Sequence, residues 1–295
     1  MTVFNSRPGL KKALAYISLS LAAVCLFNSC SGDNKNEESG TSFAEITSSE
    51  VYTVDQTTEE ELTTEEITEA AEPGEALKEI ILSGDRLKSK CTQALRIPAP
   101  GDGFYSQGGT TDGVYFYQAF VKKDTASNEA NNIDRILKVE LATGKVVAAS
   151  GNLSLNHAND ITVLADGNLA VVHNNPNRQT VSVIDSETLK LIKVVTVPYQ
   201  IYCMNYQPDY DKFVVGQSGG QDFVYLNGSM GLGAGRDRVT KTATPLTKGY
   251  VTQGCSSDKN FIYFVLYKEN VITVYDWDGK LATIIELDLG TIEPE

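Results

Sequence analysis

Apolar positions along this chain return in units. Each unit holds a turn with Asp and Gly, a short strand rich in Tyr, Val and Ile, and a second strand that ends in a turn before Lys. The second strands run Ile136–Leu141 before Thr143-Gly144-Lys145, Val181–Ile184 before Thr188-Leu189-Lys190, and Val271–Tyr275 before Asp278-Gly279-Lys280. Val139 and Val183 are 44 residues apart, and Val183 and Val274 are 91 apart with Val224 between them. Alternation of apolar and polar residues, with Thr, Val, Ile and Tyr prominent, suits strands. No segment carries a convincing amphipathic helical pattern. A period of about 45 to 50 residues with roughly four short strands per unit predicts an all-β chain folded as a β-propeller of four-stranded antiparallel blades.

The blades fall at about 104–151, 153–198, 199–227 and 250–289. In the second, Ile161–Leu164 meets Leu169–Val172 across Asp166-Gly167, a strong hairpin signal. Residues 80–97 lead into the first blade and are expected to supply an outer strand, or with it a fifth blade. A Gly-rich, basic stretch, Gly228 to Lys248, reads as an insertion on one face. Arg236, Arg238, Lys241 and Lys248 there suit an anionic partner, or are solvated loop charges. Its glycines lack the strand–glycine–helix context of a phosphate loop. The last residues, Glu286 to Glu295, have the pattern of a strand entering another blade. Sheet edges left unpaired are a liability, so the expectation is either a C-terminally truncated copy of a longer propeller or a compact ring of four or five blades.

Charge is uneven. Residues 31–79 hold 15 Asp and Glu against Lys35 and Lys78, so the formal net charge of −13 belongs to this stretch. Its Ser/Thr/Glu composition cannot bury a core, and it reads as a disordered acidic tether. Residues 80–295 show no basic patch, which argues against nucleic acid.

Residues 1–30 read as a secretory signal: Arg7, Lys11 and Lys12, then an apolar run from Ala13 to Phe27 that is short for a membrane span. The run ends Leu26-Phe27-Asn28-Ser29-Cys30, which resembles a bacterial lipoprotein cleavage box. It departs from the pattern at Phe27, where Leu, Val or Ile is usual. The resemblance implies lipidation at Cys30, a membrane as partner and an extracytoplasmic location; the other reading is an ordinary signal peptide. Cys91, Cys203 and Cys255 have no metal-like spacing and suit small buried residues, with one disulfide pair still open.

The candidate site rests on a shared phase of the repeat. Gln107-Gly108, His157-Ala158-Asn159-Asp160, Met204-Asn205 and Gln253-Gly254 each sit where a propeller places its innermost strand. Gln107, His157, Asn159, Asp160, Asn205 and Gln253 therefore either converge on one polar pocket by the central channel or satisfy backbone groups and tie blades together. Such a set suits a sugar or peptide. Its oxygens would suit Ca²⁺, while no metal site or other cofactor is implied. His157 with Asp160 as partner is the general-base alternative. Trp277, the single Trp, is expected to cover a blade edge.

Together the stretches Gln107–Gly113, Asn156–Thr162, Gln253-Gly254 and Val274–Lys280 give residues 100–295 a family likeness. They resemble bacterial surface and periplasmic propellers of the NHL and YVTN type, and more closely a group of firmicute lipoproteins and wall-associated proteins. The resemblance implies a fold and a surface location, not an activity. The expected function is a cell-surface lipoprotein whose propeller binds a glycan, peptide or protein at the envelope; the alternative is a propeller lyase or hydrolase using His157 and Asp160.

Overall fold

The computed structural model describes residues 73–89, 91, 93–122, 131–217, 222–232, 238–240, 252–266 and 270–289. The expected signal at 1–30, with Cys30, and all of the tether up to residue 72 lie outside the described residues.

Four antiparallel sheets are arranged as a four-blade β-propeller. Blade I comprises β2 (Phe104–Thr111), β3 (Tyr115–Lys122), β4 (Ile133–Glu140) and β5 (Val146–Ala149). Blade II comprises β6 (Asp160–Val163), β7 (Leu169–Val172), β8 (Thr180–Ile184) and β9 (Leu191–Thr196). Blade III comprises β10 (Ile201–Gln207), β11 (Lys212–Gln217), β12 (Asp222–Asn227) and β13 (Arg238–Thr240). Blade IV comprises β14 (Thr252–Ser257), β15 (Phe261–Leu266), β16 (Val271–Asp276) and β17 (Leu281–Leu287). The four strands of each blade follow chain order outward, and β2, β6, β10 and β14 are innermost, with β6 packed against the other three. The Val landmarks all fall on third strands, β4, β8, β12 and β16.

The repeated turn has one backbone recipe. Gly144, Leu189, Met230 and Gly279 occupy equivalent places after the third strand, and all four are left-handed, at φ of 69°, 53°, 63° and 84°. Each N–H returns to a carbonyl at the end of the third strand or just past it: Glu140, Asp185, Asn227 and Asp276. Leu189 and Met230 accept this conformation because their side chains are buried between blades.

Middle strands are apolar on both faces because each is covered twice. In β7, Leu169 and Val171 face blade I while Ala170 and Val172 face blade III. In β12, Val224 and Leu226 face blade II while Phe223 and Tyr225 face blade IV. Three apolar seams result, I–II, II–III and III–IV. Among the described residues no apolar cluster joins blade IV to blade I. The N-terminal segment covers both remaining faces. Helix α1 (Pro73–Leu82) lays Leu77 and Ile81 on Phe261, Ile272 and Val274 of blade IV. Leu95 and Ile97 lie on Phe116, Phe120 and Val139 of blade I.

Several expectations change here. Residues 80–97 form no fifth blade; Leu87–Ser89, as strand β1, adds in parallel to β17, as an outer strand of blade IV. Helix α1 spans the expected boundary at 79/80, and no helix was foreseen; its Leu77, Ile81 face finds a partner only in tertiary structure. Within the expected 228–248 insertion, Arg238–Thr240 is β13, the outer strand of blade III. Arg236, Lys241 and Lys248 lie outside the described residues. Trp277 does seal a blade edge: it stacks on Tyr225 at 5.5 Å, meets Tyr210 edge-on at 4.7 Å, and donates Nε1–H to the Asp258 carbonyl at 3.0 Å.

Candidate functional site

The inner strands share a defect. β2 shifts register between Ser106 and Gly109, β10 between Ile201 and Cys203, and β14 between Thr252 and Gly254. An extra residue at a bulge leaves the ladder and turns its peptide elsewhere. Here those residues are Gln107 with Gly108, Tyr202 and Gln253, at the phase that the sequence marks out.

Asn159, at the start of β6, takes up the peptides so released. Its Nδ2 donates to the Tyr202 carbonyl at 2.7 Å and to the Gln253 carbonyl at 3.1 Å. Its Oδ1 accepts from Asn174 Nδ2 at 3.0 Å. One buried amide thus joins blades II, III and IV. Asp160 lies beside it. Oδ1 accepts from the Ile161 N–H at 2.9 Å, and Oδ2 from the Met204 N–H at 3.0 Å and the Cys255 N–H at 3.4 Å. Burial pushes the Asp160 carboxyl up to about 7, against the pull of these N–H donors. Blade I joins the group through Gly108, where a Cβ would stand 2.5 Å from Asp160 Cα and 2.9 Å from the Asn159 carbonyl oxygen. Only a residue without a side chain lets β2 approach β6 this closely.

Asn205 also spans blades: Ser257 donates to its Oδ1 at 2.6 Å, and its Nδ2 reaches Thr162 Oγ1 at 3.4 Å. The Gln118 amide donates to the Gln107 carbonyl, and Gln107 Nε2 to its neighbour Ser106 at 2.9 Å, which leaves Gln107 Oε1 buried with no hydrogen-bond partner among the described residues. Of the six expected residues, Asn159 meets the Gln253 carbonyl and is followed directly by Asp160, and Asn205 bonds to Thr162 of the same strand as Asp160; Gln107 bonds within blade I. Asn159, Asp160 and Asn205 are used as ties between blades.

His157 differs. It is half-buried on the turn from Leu155 to Ala158, between two left-handed residues, Asn156 at φ 62° and Ala158 at φ 46°. The turn is pinned from two blades. Asp134 Oδ2 accepts the Leu155 N–H at 2.7 Å, and Asn132 Nδ2 donates to the Asn156 carbonyl at 2.7 Å. The His157 N–H donates to the His173 carbonyl at 3.1 Å. Asn156 Nδ2 meets His173 Nδ1 at 3.3 Å, and His173 Nε2 meets Ser182 Oγ at 2.7 Å. Because the Asn156 amide donates, His173 Nδ1 accepts and its proton sits on Nε2. Burial lowers His173 to about 4, so the ring is neutral at neutral pH. Asn174, left-handed at φ 58°, keeps a buried Oδ1 with no partner among the described residues. Next to it, Arg178 lies over the Tyr202 ring at 5.2 Å.

Sequence reasoning did not select Asn132, Asp134, His173, Asn174 or Arg178. The visible signal was the polar run His173-Asn174-Asn175-Pro176 directly after a fully apolar strand. The Ca²⁺ expectation needs oxygen ligands around Asp160; the groups that meet its carboxylate are N–H donors and sulfur. Asp160, Cys203 and Cys255 each bring one ligand atom within 4.8 Å of the others.

No protein-family model matches the chain, and no curated protein matches it by sequence. Similar solved structures include a Myxococcus xanthus glutaminyl cyclase, 12% identical with a TM-score of 0.47, covering 69% of this chain and 79% of that one. A Bacteroides caccae protein of unknown function is 18% identical with a TM-score of 0.44, covering 64% and 74%. A β-propeller domain from Myceliophteria thermophila is 11% identical with a TM-score of 0.37, covering 62% and 55%. By its own four sheets and their order around the inner strands, the chain carries a β-propeller domain.

Proposed function

We propose that the protein is a binding module of the bacterial cell envelope, anchored through lipid on Cys30, whose propeller takes a polar glycan, peptide or protein segment at the end of the ring that presents His157. The observation that carries this reading is the pinned turn. Left-handed residues that are not Gly cost of order 1–3 kcal/mol each and persist where the surroundings over-determine them, often at ligand sites. Asn156, Ala158 and Asn174 concentrate such strain around His157, and the buried side-chain amide oxygen of Asn174, next to His173, has no partner among the described residues.

Binding is favoured over catalysis by the use made of Asp160. A general-base pair would aim that carboxylate at His157, whereas both its oxygens accept backbone N–H groups within β6 and from blades III and IV. The reading is tested by calorimetric titration of the full chain with soluble envelope glycan and wall-peptide fragments, in parallel with His157→Ala. Saturable binding, weakened by the substitution with the fragment recovered intact, supports it. Cleavage of the fragment that depends on His157 would instead establish the lyase or hydrolase alternative.

A further inference from the structure

Asp160 marks a second chemistry at the ring centre. Its carboxylate is buried, and no Lys, Arg or His lies among its hydrogen-bond partners. A buried carboxylate without a cation is costly unless it takes a proton or a metal. Two thiols face it. Cys203, fully buried on β10, and Cys255, half-buried on β14, come from separate blades and lie 52 residues apart in sequence. Cys255 Sγ is 3.9 Å from Asp160 Oδ2, and all three ligand atoms fall within 4.8 Å of one another.

We propose that Asp160, Cys203 and Cys255 form a site for a thiophilic divalent or monovalent metal of the Zn²⁺ or Cu⁺ class, joining blades II, III and IV. Two thiolates with one carboxylate select such metals over Ca²⁺ or Mg²⁺. Tetrahedral Zn²⁺, with bonds of about 2.3 Å to sulfur and 2.0 Å to oxygen, sets its ligand atoms roughly 3.5–3.8 Å apart. The present spacing reaches that with side-chain shifts of about 1 Å. Three protein ligands leave one coordination position for water or a ligand. Uptake of Zn²⁺ balances as loss of two thiol protons, and of the carboxyl proton where Asp160 carries one, with both sulfurs and the carboxylate oxygen bound as anions and no change in oxidation state.

The alternatives are a reduced thiol pair packed as small apolar groups and a Cys203–Cys255 disulfide. The test uses the full chain with Cys25, Cys30 and Cys91 replaced by Ser, reduced and freed of reductant, then titrated with Co²⁺ as the spectroscopic probe. The proposal expects sulfur-to-cobalt charge-transfer absorption and the visible bands of tetrahedral Co²⁺, saturating at one ion per chain and displaced by Zn²⁺. Adding Cys203→Ser or Cys255→Ser should abolish the charge-transfer signal while circular dichroism confirms the fold. Three results would overturn the proposal: no absorption on titrating the folded, reduced chain; a signal that survives either serine substitution; or thiols that count as reduced while Zn²⁺ leaves the melting temperature unmoved. A disulfide in the isolated protein that, once reduced, binds no Co²⁺ would also do so.

Discussion

Asn159 and Gln253 lie 94 residues apart in sequence, and the side-chain amide of Asn159 donates to the Gln253 backbone carbonyl at 3.1 Å. The same Nδ2 serves Tyr202 at 2.7 Å. Both carbonyls point inward because their residues sit at β-bulges. A backbone irregularity in two blades and one amide in a third thus make a single fastening. Replacing Asn159 by Ala removes all three of its side-chain bonds and leaves buried groups unsatisfied. The expected loss is about 2–4 kcal/mol of unfolding free energy, with the fold retained, measured by urea denaturation.

Gly108 packs its backbone directly against β6 of blade II. Gly108→Ala forces a Cβ to 2.5 Å from the Asp160 Cα, where the obstruction is backbone and cannot swing away. The strands must separate, at a cost of about 2–3 kcal/mol. Ala at Gly254, where the space is open, should cost under about 1 kcal/mol. Comparing the two melts separates steric crowding from the general penalty of losing a glycine.

Asp134 gives the domain a pH dependence. Burial raises its carboxyl to about 7 from the ordinary 3.8, and the Leu155 N–H only partly offsets this. The folded state therefore holds a proton that the unfolded state has released. This stabilising protonation is complete below about pH 4 and is lost as pH rises from about 4 to about 7. Asp134→Asn stays neutral throughout. Its unfolding free energy in urea should match the parent near pH 4 and exceed it at pH 8, by an amount of order 1–3 kcal/mol.

The N-terminal helix covers a face of blade IV that no neighbouring blade covers among the described residues. Ile81 is fully buried against Phe261, Ile272 and Val274. Ile81→Ala should cost about 2–4 kcal/mol. A chain begun at residue 80 keeps Ile81 but loses Leu77 and most of the helix that holds it. It should melt below a chain begun at residue 73, which differential scanning calorimetry can measure.

Propeller blades were legible because strand packing on both faces leaves continuous apolar runs such as Phe213–Val215, and because the turn before Lys repeats. The inner-strand phase was legible too, since Gln107, Asp160, Met204 and Gln253 recur at one place in the unit. Helix α1 was not. Its ten residues mix Glu75, Lys78 and Glu79 with a short apolar set, and that apolar face has meaning only against blade IV. The pinning of His157 was also hidden, because Asn132, Asp134 and His173 reach it through side-chain bonds of 17–24 residues' separation that no local pattern encodes. Nor could spacing reveal the approach of Cys203 to Cys255, which depends on how β10 and β14 pack across blades.

The central claim is a division of labour at the ring centre, with Asn159 fastening blades and His157 held ready on a rigid turn. Equilibrium urea unfolding of the full chain, of Asn159→Ala and of His157→Ala tests it directly. The account predicts a loss of about 2–4 kcal/mol for Asn159→Ala and under about 1 kcal/mol for His157→Ala. Equal losses, or a larger loss at His157, would contradict it and make the His157 turn another fastening of the ring.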